Sequence, residues 1–237
     1  MSLYELIMDE IMAKNIVDKI DDLVKVENVL ISVSDKTGLE TFIPALVKVN
    51  PDVRILSTGG TFAKISEILG DSAGKNLVQV SEYTGQPETQ GGLVKTLDFK
   101  IYLGILTETY NDSHQADIKR TEAVRLDMVI VNLYPFKETI SKEGVTPEEA
   151  RSNIDIGGPT MVRASAKNFL RVASVVNPDD YAAIIEIMKA SDKSLPLSLR
   201  YELAKKSFEH TAVYDRTISD YLSSKTFEEV ANCYGSK

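Results

Sequence analysis

The run from Asn153 to Asn168, N-I-D-I-G-G-P-T-M-V-R-A-S-A-K-N, gathers a carboxylate, a glycine turn and two cations in one short segment. Gly157-Gly158-Pro159 reads as a tight turn opening a helix, with Pro159 at the first helical position, where its missing N–H costs nothing. The exposed amides of such a first turn, and the helix dipole behind them, suit an anion. Asp155 stands just ahead of the turn, and at helical spacing Thr160, Arg163 and Lys167 share one face. Lys167 lies ~12 Å along the axis from Pro159, so it has to lean back toward the helix start to reach the same place. The segment could thus present a carboxylate, free amides and two cations to one bound anion. An ordinary capped helix with a solvated basic face fits the same pattern.

Three more polar turns follow apolar runs: Ser34-Asp35-Lys36, Thr58-Gly59-Gly60-Thr61 and Asn132 to Tyr134. In an open parallel sheet a ligand sits outside the carboxyl ends of the strands, which would gather these turns at one rim. Glycines let the backbone approach a phosphate, amides and hydroxyls bind its oxygens, and Lys36 adds charge. Each turn alone is also what a helix cap looks like. Neither G-x-x-x-x-G-K-[ST] nor G-x-G-x-x-G is present, so one phosphate is a more economical expectation than a diphosphate cofactor. The loop Gly91 to Leu97 brings Lys95, which a solvated surface loop would equally explain. Tyr134, before Pro135, is either core packing or, beside lysines, a phenol able to donate a proton or steady an oxyanion.

The elements that must position these residues alternate. Val29–Val33, Val53–Leu56, Leu77–Val80, Met128–Val131 and Ala173–Val176 read as buried strands, and Ile101–Leu106 as a further strand. Leu39–Val49 (with Pro44 awkward in its interior), Phe62–Leu69, His114–Leu126, Asn177 to about Ala190 and Leu197–Leu222 read as helices. Thr146-Pro147-Glu148-Glu149 is a capping box. Residues 3 to 24 carry an amphipathic stripe, with Ile7 and Ile11, then Ile16 and Ile20, four apart. Ser81 to Lys100 is polar, glycine-containing and without period, a long functional loop. Strand, turn and helix in succession predict a mainly parallel sheet covered by helices on both faces, an α/β three-layer αβα architecture with N- and C-terminal helices. The organisation expected is an N-terminal helical extension over 1–26, one domain over 27–224 and a C-terminal tail over 225–237.

Composition narrows the function. The 237 residues are 43% hydrophobic and carry a net charge of −8, with a pI near 5.0, which disfavours a general nucleic-acid or anionic-membrane binder. The single cysteine, Cys233, permits no internal disulfide and fits a reducing, cytoplasmic setting. With His114 and His210 it makes no zinc spacing, so no metal is expected. No apolar run approaches the roughly 18 residues of a membrane span, and the acidic N-terminus is unlike a signal or transit peptide.

Read in order, V-L-I-S-V-S-D-K-T-G-L, L-S-T-G-G-T, V-S-E-Y-T-G-x-P-E, V-K-T-L, V-N-L-Y-P-F, N-I-D-I-G-G-P with A-K-N, and F-E-H-T-A-x-Y-D resemble the inosine monophosphate (IMP) cyclohydrolase domain of the bifunctional purine-biosynthesis enzyme family. The matches run from Val29 to Leu222. The resemblance implies a methylglyoxal synthase-like fold and a ring closure with loss of water. In that reaction 5-formamidoimidazole-4-carboxamide ribonucleotide (FAICAR) becomes IMP, with no metal or redox cofactor. It places the family's catalytic lysine on Lys167, its tyrosine on Tyr134, its aspartate on Asp155 and its loop lysine on Lys95. Lys167 and Tyr134 would transfer protons, Lys95 would polarise the formyl oxygen, and Asp155 with the glycine-turn amides would orient the carboxamide. Ser34, Asp35, Lys36, Thr58, Gly59, Gly60, Thr61, Val94, Thr96, Asn132, Ile156 and Gly157 would hold the nucleotide. It also implies a homodimer, and a separate formyltransferase activity to supply the substrate.

The chain departs from that pattern in one loop. Leu93 stands where the family has arginine, Asp98-Phe99 where it has His-Pro, and Tyr102-Leu103 where it has a histidine-containing stretch. A lost arginine–phosphate bond is worth ~1.5–3 kcal/mol, so either another cation such as Lys36, Lys100 or Arg54 substitutes or nucleotide binding is weaker, and an acid at Asp98 beside a phosphate is unfavourable unless it points elsewhere. Two competing readings share the fold: a non-catalytic module sensing a phosphorylated metabolite, and methylglyoxal synthase itself, which lacks support from N-L-Y-P-F and I-D-I-G-G-P.

Overall fold

The structure, a computed structural model, describes residues 16–86 and 95–235. Strand β1 (Leu23–Lys25) precedes β2 (Asn28–Val33), helix α1 (Leu39–Val49), β3 (Arg54–Ser57), helix α2 (Gly59–Leu69) and β4 (Leu77–Gln79). Helices α3 (Phe99–Leu106) and α4 (Asp112–Thr121) lead to β5 (Met128–Asn132). Then come α5 (Gly157–Lys167), β6 (Ala173–Val175), α6 (Tyr181–Ala190), β7 (Ser194–Pro196) and the long α7 (Leu197–Ser223). Strands β2 to β6 form one parallel sheet in the order β4-β3-β2-β5-β6, while β1 pairs antiparallel with β7.

The apolar runs are continuous because both faces of this sheet are buried. Val29, Ile31, Met128, Ile130 and Val175 enter one core with Phe42 and Leu46 of α1, Ile65 of α2 and Ile184 of α6. Leu30, Leu56, Val129 and Val131 face the other way, against Ile101 and Ile105 of α3 and Met161 and Val162 of α5. This is the expected three-layer α/β architecture. Pro44 is accommodated on the exposed side of α1. The capping box at Thr146 and Glu149 forms as read, opening the short helix Pro147–Ser152.

Five expectations are corrected. Ile101–Leu106 is not a strand: it belongs to α3, whose start is capped by Asp98 accepting from the Lys100 amide at 2.8 Å. A short apolar run has no period that separates the two. A Cβ at Gly104 would collide with the Val124 carbonyl, so α3 lies directly on the segment entering β5. The helix expected over His114–Leu126 spans Asp112–Thr121 and stops at Glu122, which takes a left-handed φ of 54°. Of the expected N-terminal helix over 3 to 24, residues 1–15 lie outside the described residues, 16–22 form no helix, and 23–25 are β1. Of the loop expected from Ser81 to Lys100, Ser81–Thr84 belong to a helical turn that starts at Val80 and Phe99 and Lys100 to α3, while 87–94 lie outside the described residues. The tail after 224 folds a short helix, Phe227–Ala231, with its own capping box at Thr226 and Glu229.

Two buried guanidiniums lock the layers. Arg171 donates to the carbonyls of Thr107, Leu126, Gly104 and Ile105 and pairs with Asp127 at 3.3 Å. Asp127 in turn accepts the amides of Glu27 and Asn28, both at 2.9 Å, at the entry of β2. Arg200 donates to the carbonyls of Asp21, Asp22, Phe169, Leu170 and Leu195, and so fastens β1 and β7 to α7. Arg171→Met would strand the Asp127 carboxylate without its cation, so urea unfolding should show a loss of ~3–5 kcal/mol. Adding Asp127→Asn, which keeps an acceptor for the two amides, should restore part of it.

Candidate active site

Strands β3, β2 and β5 are adjacent and parallel, so their carboxyl ends deliver three turns to one rim. With the start of α5 and residues 95–97 these turns enclose a cleft of about 350 Å³. The expected convergence of Ser34, Lys36, Thr58, Gly59, Gly60, Thr61 and Asn132 is observed, together with Lys95, Thr96, Tyr134, Asp155, Ile156 and Gly157.

One end of the cleft is built for an anion. Helix α2 opens at Gly59 with no side-chain cap from Thr58; the Thr61 and Phe62 amides donate to the Thr58 carbonyl at 3.2 Å, which leaves those of Gly59 and Gly60 without a helical partner among the described residues. Gly59 takes a φ of 50°, and a Cβ there would stand 3.1 Å from Lys95 Nζ; one at Gly60 would stand 3.9 Å from Lys36 Nζ. Two cations therefore flank the glycine turn, and Lys36 is steadied by donating to the Ser34 carbonyl at 3.2 Å. Free amides, a helix dipole and two lysines are the requirements of a bound phosphate.

Other rim residues hold the turns rather than offer groups to a ligand. Asn132 Oδ1 accepts the amides of Ser34 and Asp35 at 2.6 and 2.9 Å, and its Nδ2 donates to the Asp35 carbonyl at 2.8 Å. Thr61, buried, exchanges both hydrogen bonds with the backbone of Val33 at 3.0 and 2.9 Å.

The other end carries the carboxylate and the phenol. Asp155 Oδ1 accepts the Gly158 amide at 2.9 Å, capping α5, and its carboxylate also accepts the Tyr134 amide. A Cβ at Gly158 would collide with the Asp155 carboxylate, so the second glycine of the turn is required by this packing. Burial pushes Asp155 above the ordinary carboxylate range, opposed by the two amides. Tyr134 stands over the cleft at 54% exposure, and Thr96 Oγ1 lies against Gly157.

Two expected residues are not brought here, and a third lies outside the described residues. Lys167, in the last turn of α5, is exposed and does not line the cleft; it lies ~15 Å of helix away from Gly157. The helix points its buried side, Met161, Val162, Ser165 and Ala166, into the core and turns Arg163 and Lys167 to solvent. The leaning-back expected of Lys167 does not occur. Asp35 lies outside the cleft, its carboxylate bonded by the amide and hydroxyl of Thr37. Val94, like Leu93, falls outside the described residues. Of the cations expected to replace the family arginine, Lys36 lines the cleft, whereas Arg54 and Lys100 lie over the ring of Tyr83. Asp98 is buried as the cap of α3, so it points elsewhere as required.

Sequence reasoning missed Ser32, Ser152 and Met161, which also line the cleft. It missed Tyr214 as well, whose phenol oxygen accepts the Asp155 amide at 2.8 Å. Its signal was present inside F-E-H-T-A-x-Y-D but carried no chemistry on its own.

A family model described as MGS-like domain matches residues 38–160, just over half of the chain, and one described as the AICARFT/IMPCHase bienzyme matches 165–237. The bifunctional purine biosynthesis protein PurH of Acetivibrio thermocellus is 45% identical over 204 residues, 86% of this chain and 38% of that protein. PurH of Synechococcus sp. (strain CC9902) is 46% identical over 193 residues, 81% of this chain and 36% of the relative. The chain thus spans well under half the length of these relatives. A solved structure described as the crystal structure of ForH is 28% identical with a TM-score of 0.69, covering 81% of this chain and 97% of that one. The chain belongs to the MGS-like domain family, among relatives that are bifunctional purine biosynthesis proteins.

Proposed function

We propose that the chain closes the purine ring, converting FAICAR to IMP with release of water. The observation that carries this reading is the two-ended cleft: an anion seat at Gly59-Gly60 with Lys36 and Lys95, and a phenol beside a buried carboxylate at Tyr134 and Asp155. A nucleotide whose phosphate rests on the α2 amides would lay its base toward Asp155 and Tyr134. There the carboxamide nitrogen adds to the formyl carbon and gives up a proton. The proton ends on the former formyl oxygen, and the resulting carbinolamine loses that hydroxyl together with the proton of the former formamide nitrogen as water, forming the C=N bond of the new ring. Holding both substituents in one cleft supplies the attacking geometry. Asp155 would orient the carboxamide, and Tyr134 would move the proton and steady the oxygen that gains charge. As placed, Lys95 stands over the glycine turn, so its charge serves the phosphate as well as the formyl oxygen expected of it.

The relatives favour purine chemistry, and the phenol–carboxylate end favours catalysis over a sensor, which needs the anion seat alone. A homodimer, a formyl-transferring partner reaction and a role for Lys167 are further parts of this proposal, each taken from the resemblance.

Mixing the protein with FAICAR and following the ultraviolet spectrum of IMP tests the reading; an unchanged spectrum at micromolar enzyme would end it. Because burial raises Asp155, the acid limb of the rate profile should lie above the ordinary carboxylate range. Asp155→Asn should erase that limb while lowering kcat. Replacing Lys36 and Lys95 together by alanine should raise KM on the order of tenfold or more, as expected for two charge-assisted phosphate bonds. Lys167→Ala at wild-type rate would remove that residue from the machinery, and sedimentation of a monomer alone at micromolar concentration would remove the homodimer.

A further inference from the structure

We infer that Tyr214 is a positioning residue for the ring closure, setting Asp155 and Tyr134 in register from the long C-terminal helix. The inference rests on the reading proposed above. Tyr214 sits on α7, inside the stretch matched by the bienzyme model and beyond the MGS-like match that ends at 160. Its phenol oxygen accepts the main-chain amide of Asp155 at 2.8 Å. Its ring packs edge-on against Phe136 with centroids 6.3 Å apart, and Phe136 follows Tyr134-Pro135 directly. Asp155, for its part, takes the Tyr134 amide on its carboxylate. One side chain therefore touches both segments that bring the reacting groups to the cleft, and closes a loop of contacts: α7 to Asp155, Asp155 to Tyr134, Tyr134 through Phe136 back to α7.

The half-buried Tyr214 phenol is shielded from bulk water, its acidity suppressed first by burial. It does not line the cleft. It acts through the Asp155 amide, whose direction fixes the turn Asp155-Ile156-Gly157 and so where the carboxylate points. Displacing a reacting group by a fraction of an ångström to an ångström costs on the order of tenfold to a hundredfold in rate.

Tyr221, one heptad on along the same helix, supplies the control. It also packs edge-on against Phe136, at 5.8 Å, but its hydroxyl has no hydrogen-bond partner among the described residues. Tyr214→Phe keeps the ring and removes the acceptor; Tyr221→Phe removes a hydroxyl that holds nothing. Tyr214→Phe should lower kcat roughly tenfold or more with KM for FAICAR changed less than about twofold, because the anion seat is untouched. Tyr221→Phe should match the wild type. Exchange of the Asp155 amide proton, read by nuclear magnetic resonance, should accelerate about tenfold or more in Tyr214→Phe alone. A wild-type protein that closes FAICAR, with a Tyr214→Phe variant equal to it in kcat, overturns this inference and leaves the ring-closure reading standing. A wild-type protein that closes no ring ends that reading, and the exchange measurement then decides this one: equal rates in the two variants overturn it, a selective rise upholds the hold on Asp155.

Discussion

The contact between the Asp155 carboxylate and the first turn of α5 is the constraint on which the site depends. A carboxylate half withdrawn from water has to be hydrogen-bonded, and here the amides of Gly158 and Tyr134 meet that need. The same two bonds cap a helix and join two segments of the cleft wall. They also require glycine at 158, since any Cβ would occupy the carboxylate's place. A group held so closely cannot drift; burial raises its proton affinity, and the two amides work against that rise.

The opposite end of the cleft works by the reverse arrangement. The first turn of α2 is left uncapped, and two lysines stand over it in place of an internal carboxylate. Two helix starts, α2 and α5, face one cavity. One is satisfied from within the chain and the other stays open for a ligand. On the proposed function, that asymmetry would orient the nucleotide, phosphate to the open amides and base to the filled ones. Asn132 and Thr61 serve the frame, stitching the ends of β2, β3 and β5 so that the rim does not splay.

The rigid back of the site comes from α7. Arg200 ties its start to the carbonyls after α5, and Tyr214 and Tyr221 bracket Phe136 farther along. The Arg171–Asp127 pair closes the far end of the sheet, where the strands enter rather than leave. Buried guanidiniums are expensive to desolvate, and each is matched by carbonyls from helix ends and from the segments at β1, β5 and β7, so polar groups of one element satisfy those of another.

Much of this was legible beforehand. Continuous apolar runs at β2, β3 and β5 announced strands buried on both faces, and the polar turns after them announced a common rim, because parallel strands must all leave the sheet at the same edge. The capping box at Thr146 was readable for local reasons, being satisfied within four residues, and so was a helix start at the glycine pair, although α5 already begins at Gly157 and Pro159 is its third residue rather than its first. Run length alone misled at Ile101–Leu106, where the cap at Asp98 and the close approach at Gly104 decide for a helix. Residue type and spacing determined which groups were available: a carboxylate ahead of a glycine turn, a phenol after a strand, lysines in loops. Only the tertiary structure decided which of them meet. It turned Lys167 outward, because the buried side of α5 is set by Met161, Val162 and Ala166. It spent Asn132 and Thr61 on backbone, and it brought Tyr214 to Asp155 across 59 residues of chain. Such long-range encounters depend on how helices pack on a sheet, and no local pattern encodes them.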